Sequence, residues 1–197
     1  MLPLKADRAM CKLVWTFRVE NSDWVMPGVT ASPMPSGALL SRYQKSGFHT
    51  DCYSTVVPVS VSQEQYVIAF YSTWLFRLER FILKWAVSRP STDDQLARLA
   101  SGIAGEFAAW SVEARSDNQL LLADFQGRTR SWLMTDQVTA EAGTHTKLYF
   151  GSAVVPVLNK ATGEQRMGFA YRALLGFHRH YSVALLSAAA ARLVKER

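Results

Sequence analysis

Four apolar runs follow one another between residues 106 and 157: "EFAAWSVEAR", "QLLLADF", "RTRSWLMTD" and "THTKLYFGSAVVPV". They are separated by Ser116-Asp117-Asn118, by Gln126-Gly127 and by a polar loop near Glu141–Gly143. Short β-compatible runs joined by tight turn residues predict an antiparallel meander. A single long helical run follows, "GFAYRALLGFHRHYSVALLSAAAARLVKER". In it Ala170, Leu174, Phe177, Tyr181, Ala184, Leu185 and Ala188 fall in one apolar sector, and Arg172 and Arg179 project from the other side. Together the two features predict an α+β domain whose antiparallel sheet, containing residues 106–157, packs on a helix spanning roughly 166–195. Phe177 and Tyr181 are expected in the packed stripe of that helix.

Upstream, Tyr53, Thr55, Val57, Val59 and Val61 alternate, the period of a half-buried strand. Pro58 cannot donate to a ladder, so that strand is an edge, bulges there, or ends early. Residues 62–88 read as helical, with Val67, Tyr71, Trp74, Leu78, Phe81 and Trp85 on one stripe. Ser72-Thr73 are weak helix formers and good caps, which leaves one long helix or two short ones open. "STDDQLARLASG" (91–102) reads as a capped helix with Ser91 or Thr92 at its start and Gly102 at its stop. Residues 1–47 hold the Pro- and Gly-rich "VMPGVTASPMPSG" and read as an irregular arm before a single domain over 48–197. Within that arm "KLVWTFRVE" is compatible with one strand.

This order of strand, two or three short helices, meander and long C-terminal helix resembles the helix-grip fold of the START-related superfamily, in which a curved sheet wraps the last helix. "AFYSTWLFRLER" resembles the junction of the paired helices in such domains. "YRALLGFHRHYSVALL" is similar to the final helix of uncharacterised bacterial proteins of that fold. The resemblance covers residues 48–195. It implies an apolar cavity between sheet and last helix that holds a lipid, a polyketide or another hydrophobic molecule. A fold alone does not establish a function.

Composition narrows the alternatives. A chain that is 49% hydrophobic and 12% aromatic over 197 residues folds around a real core. Its net charge is +6 and its pI about 9.5, which suits an anionic partner. The positives are dispersed rather than clustered in a stripe, which argues against nucleic acid. Two cysteines, Cys11 and Cys52, make neither a disulfide framework nor a metal site. The start has the pattern of no signal peptide and no stretch reaches the length of a membrane span, so a reducing cytoplasm is the expected setting.

No complete catalytic signature is present, and no cofactor or metal is expected. There is no G-x-S-x-G, no G-x-G-x-x-G and no phosphate-loop lysine. In "FHTDCY", His49 and Asp51 share one face of an extended chain and Cys52 takes the other, so a buried structural cysteine outweighs a nucleophile. Glu106 and Glu113 make no acid/base pair without tertiary help. His178 and His180 lie about 200° apart around a helix and cannot grip one ion. They serve as border residues, or His178, beside Leu174, Tyr181 and Leu185, supplies a polar tip to a cavity.

The hairpin "LADFQGRTRSWLM" sets Arg128, Arg130 and Trp132 two apart, hence on one side of a strand. With a two-residue turn at Gln126-Gly127, Ala123 faces Arg130 and Leu121 faces Trp132. With three residues, Asp124 faces Arg128 and makes a plain salt bridge. Either the arginines belong to a solvated outer face, or they anchor a carboxylate or phosphate at the polar end of a greasy cavity. The function expected is non-enzymatic binding of a small hydrophobic or amphipathic molecule, with Arg128, Arg130, Trp132, His178 and Tyr181 as ligand-binding residues. The alternatives are an enzyme acting on such a ligand, cyclase- or hydrolase-like, and an interaction protein or homodimer. The last uses Leu175, Val183 and Leu186 on the other side of the final helix.

Overall fold

The computed structural model describes residues 28–77, 91–140, 143–156 and 169–196, the side chains of residues 140 and 169–178 excepted. The elements run β1 (Thr30–Ala31), α1 (Ser41–Lys45), β2 (His49–Val57), α2 (Gln63–Tyr71), α3 (Asp93–Ala100), β3 (Glu106–Phe107), β4 (Trp110–Ser116), β5 (Gln119–Asp124), β6 (Thr129–Ala140), β7 (Gly143–Val154) and α4 (Phe169–Lys195). Seven strands form one sheet in the order β1-β2-β7-β6-β5-β4-β3. Every pairing is antiparallel, and β2 closes beside the last strand from His49↔Val154 to Val57↔Thr146. The chain is thus α+β, with α4 lying over β2, β7 and α2. The possible strand at "KLVWTFRVE" lies outside the described residues.

Local chemistry accounts for the element ends. β2 stops at Val57, immediately before Pro58, so the early-ending alternative is the one observed. α2 begins at a capping box between Ser62 and Gln65. It ends where the Ser72 hydroxyl turns back to donate to Ile68 O and the Thr73 hydroxyl accepts from Phe76 N. Thr73 thereby starts a new helical turn at 74–77. The break rotates Trp74 off the stripe predicted for one long helix: it is 71% exposed, while Val67 and Tyr71 are buried. Leu78, Phe81 and Trp85 lie outside the described residues. α3 starts at Thr92 with a second capping box and stops before Gly102, whose φ of +83° suits glycine. The Arg115 guanidinium donates to Leu99 O and Ala100 O, covering the helix's last carbonyls.

The run expected as one strand over 106–115 is two strands, because a tight turn at Ala108-Ala109 pairs Phe107 with Trp110. Ala108 has φ of +53°, and no glycine marked the turn in the sequence. A left-handed L-residue costs about 1–2 kcal/mol. Ala108→Gly should therefore raise stability by about 1 kcal/mol, read as a higher urea midpoint at unchanged slope. An unchanged or lower midpoint contradicts the strain.

Alternate residues of the strands enter two separate cores. The inner face packs Tyr53, Leu120, Leu122, Leu133, Leu148 and Phe150 against α2, α3 and α4. The outer face packs Leu121, Trp132, Met134, Tyr149 and Cys52 against Ala38, Leu40, Tyr43 and Phe48 from the segment that precedes β2. Residues 30–47 of the expected arm are therefore part of the packed structure, contributing β1 and a layer over the sheet's back. On α4 the buried stripe is Ser182, Leu185, Leu186, Ala189, Ala190 and Leu193. This is rotated from the predicted sector: Ala184 is exposed and Ala188 half-buried, whereas Leu186, assigned to the polar side, is fully buried. The side chains of Leu175 and Phe177 lie outside the described residues.

Candidate functional site

The hairpin arginines occupy two different environments. The register pairs Ala123 with Arg130 and Leu121 with Trp132, as a two-residue turn at Gln126-Gly127 requires. The Asp124 carboxylate is taken up by the backbone N–H groups of Arg128 and Thr129. Arg128 is exposed at the turn. Arg130 lies on the outer face, in a knot with Glu113 and Tyr43. Its Nε is hydrogen-bonded to Glu113 and to the Tyr43 hydroxyl. Its Nη1 donates to Gly127 O at 2.9 Å, and its guanidinium carbon sits 5.0 Å from the Tyr43 ring centroid. Tyr43 donates to Glu113 at 2.5 Å, and Arg42 reaches the same carboxylate at 3.3 Å. Burial, then the bond to Glu113, holds the Tyr43 phenol above its usual pKa, with Arg130 pulling the other way.

A β-bulge builds this knot. Val112 pairs with Leu122 and Ala114 with Leu121, which leaves Glu113 as the extra residue and brings Ala114 onto the outer face beside it. Glu113 was weighed beside Glu106, whereas its observed partner Tyr43 lies 70 residues away in sequence, so their pairing carried no signal. The knot fastens α1 to β4 and β6. Because Arg130 and Glu113 keep some exposure, their pairing is weaker than a fully buried one. Glu113→Gln should lower stability by about 1–2 kcal/mol, and the loss should shrink in an Arg130→Gln background if the two side chains act together. Additive losses in that double-mutant cycle contradict the coupling.

Trp132 continues the outer face and is fully buried. Its indole N–H donates to Gln119 Oε1 at 3.0 Å, which also accepts from Leu39 N, while Gln119 Nε2 donates to Gly37 O. One amide thus satisfies the tryptophan and two backbone groups of the covering segment. Tyr181 stands on the other side of the sheet, half-buried against the inner core. The His178 side chain lies outside the described residues. Arg130 and Trp132 on the one hand and Tyr181 on the other are therefore separated by the sheet.

The inner face carries a row of polar groups that begins at Asp51. Asp51, Ser152 and Ser131 are successive cross-strand partners over β2, β7 and β6. Asp51 Oδ1 accepts from the Ser152 N–H and hydroxyl at 2.9 and 2.7 Å. Ser131 shares a 2.8 Å hydrogen bond with the Tyr71 hydroxyl from α2. Burial and the Asp51 charge raise the Tyr53 pKa, and Arg179 on α4 partly offsets them. Ser182 is fully buried on the packed stripe of α4, and its hydroxyl has no partner among the described residues. Trp110 Nε1 and Gln63 Oε1 are likewise buried without a partner. A lone serine in an apolar helix sector is a weak signal; the sector assignment would have had to be right to find it.

Cys52 and Asp51 project to opposite faces, as alternation required. Cys52 sits in the outer core, where burial pushes its thiol up to about 11, a structural rather than nucleophilic state. Among the described residues no three His, Cys, Asp or Glu side chains gather to hold a metal ion, and no helix is long and apolar enough to cross a membrane. No family model matches the chain, and no curated protein matches it.

Proposed function

We propose that the protein binds a small hydrophobic or amphipathic molecule between the inner face of the sheet and α4. The observation that carries this reading is the buried Ser182 hydroxyl, which has no partner among the described residues although it sits on the helix stripe facing the core. Buried polar groups in folded proteins are nearly always hydrogen-bonded, so an orphan inside an apolar layer marks a place for a partner from outside the chain. The polar row of Asp51, Ser152, Ser131 and Tyr71 on the same face supports an amphipathic rather than a purely apolar guest. The antiparallel sheet with helices inserted between β2 and β3 and a last helix over β2 and β7 supports this reading of a sheet that grips its last helix. Tyr181 and His178 belong to the covering helix. Arg130 and Trp132 belong to the outer layer in this reading and serve its packing.

Titrating the full chain with Nile red, an uncharged solvent-sensitive dye, tests the proposal. Saturable binding at one dye per chain with blue-shifted emission is the expected result. Emission that stays as in buffer throughout the titration contradicts it.

A further inference from the structure

We infer that the molecule held under α4 presents an uncharged hydrogen-bonding group to Ser182, not a carboxylate or phosphate; this rests on the binding reading above. Three polar atoms are buried without a partner among the described residues: Ser182 Oγ, Trp110 Nε1 and Gln63 Oε1. All three belong to neutral side chains. Ser182 is the most enclosed of them and lies within one turn of Leu185 and Leu186, which enter the main core. Its hydroxyl can both donate and accept, so it fits an alcohol, an ether or a carbonyl oxygen equally well.

An ion in the same place would be in a different position. It would shed its hydration and need a counter-charge to offset the loss. On the inner face the Asp51 carboxylate is itself an acceptor for Ser152. Its charge opposes an incoming anion. Among the described arginines, Arg130 is paired with Glu113 across the sheet, Arg128 is exposed at the turn, and Arg192 is engaged with Ser72 and Glu196. Arg179, whose charge reaches Tyr53, is exposed on α4 and keeps its hydration.

The test is displacement of Nile red from the full chain by two competitors of equal chain length, dodecan-1-ol and dodecanoate, well above the carboxyl pKa so that the acid is ionised. Dodecan-1-ol is expected to displace the dye at about tenfold lower concentration than dodecanoate. Ser182→Ala should raise the half-displacing concentration of the alcohol about three- to tenfold, the worth of one neutral hydrogen bond, and leave that of dodecanoate unchanged. Ser182→Cys, which keeps the side chain's size, should behave as Ser182→Ala does. Neither variant should melt earlier, since the hydroxyl has no partner to lose among the described residues. Dodecanoate displacing the dye as well as the alcohol overturns the inference while binding itself stands. A Ser182→Ala protein with wild-type preference overturns the role of Ser182. Failure of Nile red to bind at all overturns the binding reading on which both rest.

Discussion

Replacing Trp132 with Ala should lower the free energy of unfolding by about 3–5 kcal/mol, the range for emptying a fully buried aromatic site. Trp132 has no exposed surface, packs against Tyr149 with ring centroids 6.2 Å apart, and donates its N–H to Gln119. Truncation leaves a cavity between the sheet and the segment that covers its back. It also removes one of the two donors to Gln119 Oε1. The loss should appear in urea denaturation as a lower midpoint, while dye binding on the opposite face is retained by the folded fraction. A loss below about 1 kcal/mol would mean that residues 34–48 do not pack on the sheet as described.

Gly151→Ala should cost about 2–3 kcal/mol, from overpacking rather than from a cavity. A Cβ at this position would lie 2.8 Å from the Asp51 backbone oxygen, 2.8 Å from Leu40 Cδ2 and 3.0 Å from Trp132 Cε3. The backbone oxygen belongs to the paired strand β2 and cannot rotate away. Here the absence of a side chain lets Leu40 and Trp132 close over the middle of the sheet, whereas at Gly102 glycine serves a left-handed turn. If the variant keeps wild-type stability, the covering layer is not seated on β7. Trp132→Ala and Gly151→Ala share one contact, so their losses should not add.

The order of elements and the antiparallel meander were legible because each rests on local chemistry. Ser62 and Thr92 cap their helices, Pro58 follows the end of β2, and Gln126-Gly127 turns the β5–β6 hairpin. The two-faced burial of the sheet was not read, although a signal was present. Leu120, Leu121 and Leu122 are consecutive and all fully buried, as are Trp132 and Leu133 on the next strand. Consecutive apolar residues on neighbouring strands mean that both faces are covered, whereas a one-sided sheet alternates. Taking the sheet as one-sided left Trp132 available to the ligand cavity and left residues 28–47 without a role.

The remaining gaps have different causes. The strained turn at Ala108 has none of the usual turn residues, and the bulge at Glu113 changes which side a residue faces without changing composition. On α4 the apolar residues run almost all the way round between Tyr181 and Val194. A moment taken along such a helix points nowhere clearly, and only packing against β2 and α2 selects the Ser182–Leu193 stripe. The hairpin arginines show the limit of spacing arguments. Two residues apart correctly put Arg130 and Trp132 on one face; which face that was depended on residues 34–48, far away in sequence.

Native mass spectrometry of the chain purified from its own host, run beside Arg130→Gln and Ser182→Ala, addresses the binding claim most directly. The wild-type chain should carry a small-molecule mass that leaves on denaturation. Arg130→Gln should retain that mass, because its side chain serves the outer face, and Ser182→Ala should carry less of it. A wild-type chain with no bound mass, or a mass lost from Arg130→Gln and kept by Ser182→Ala, would contradict a binding site between the inner face and α4.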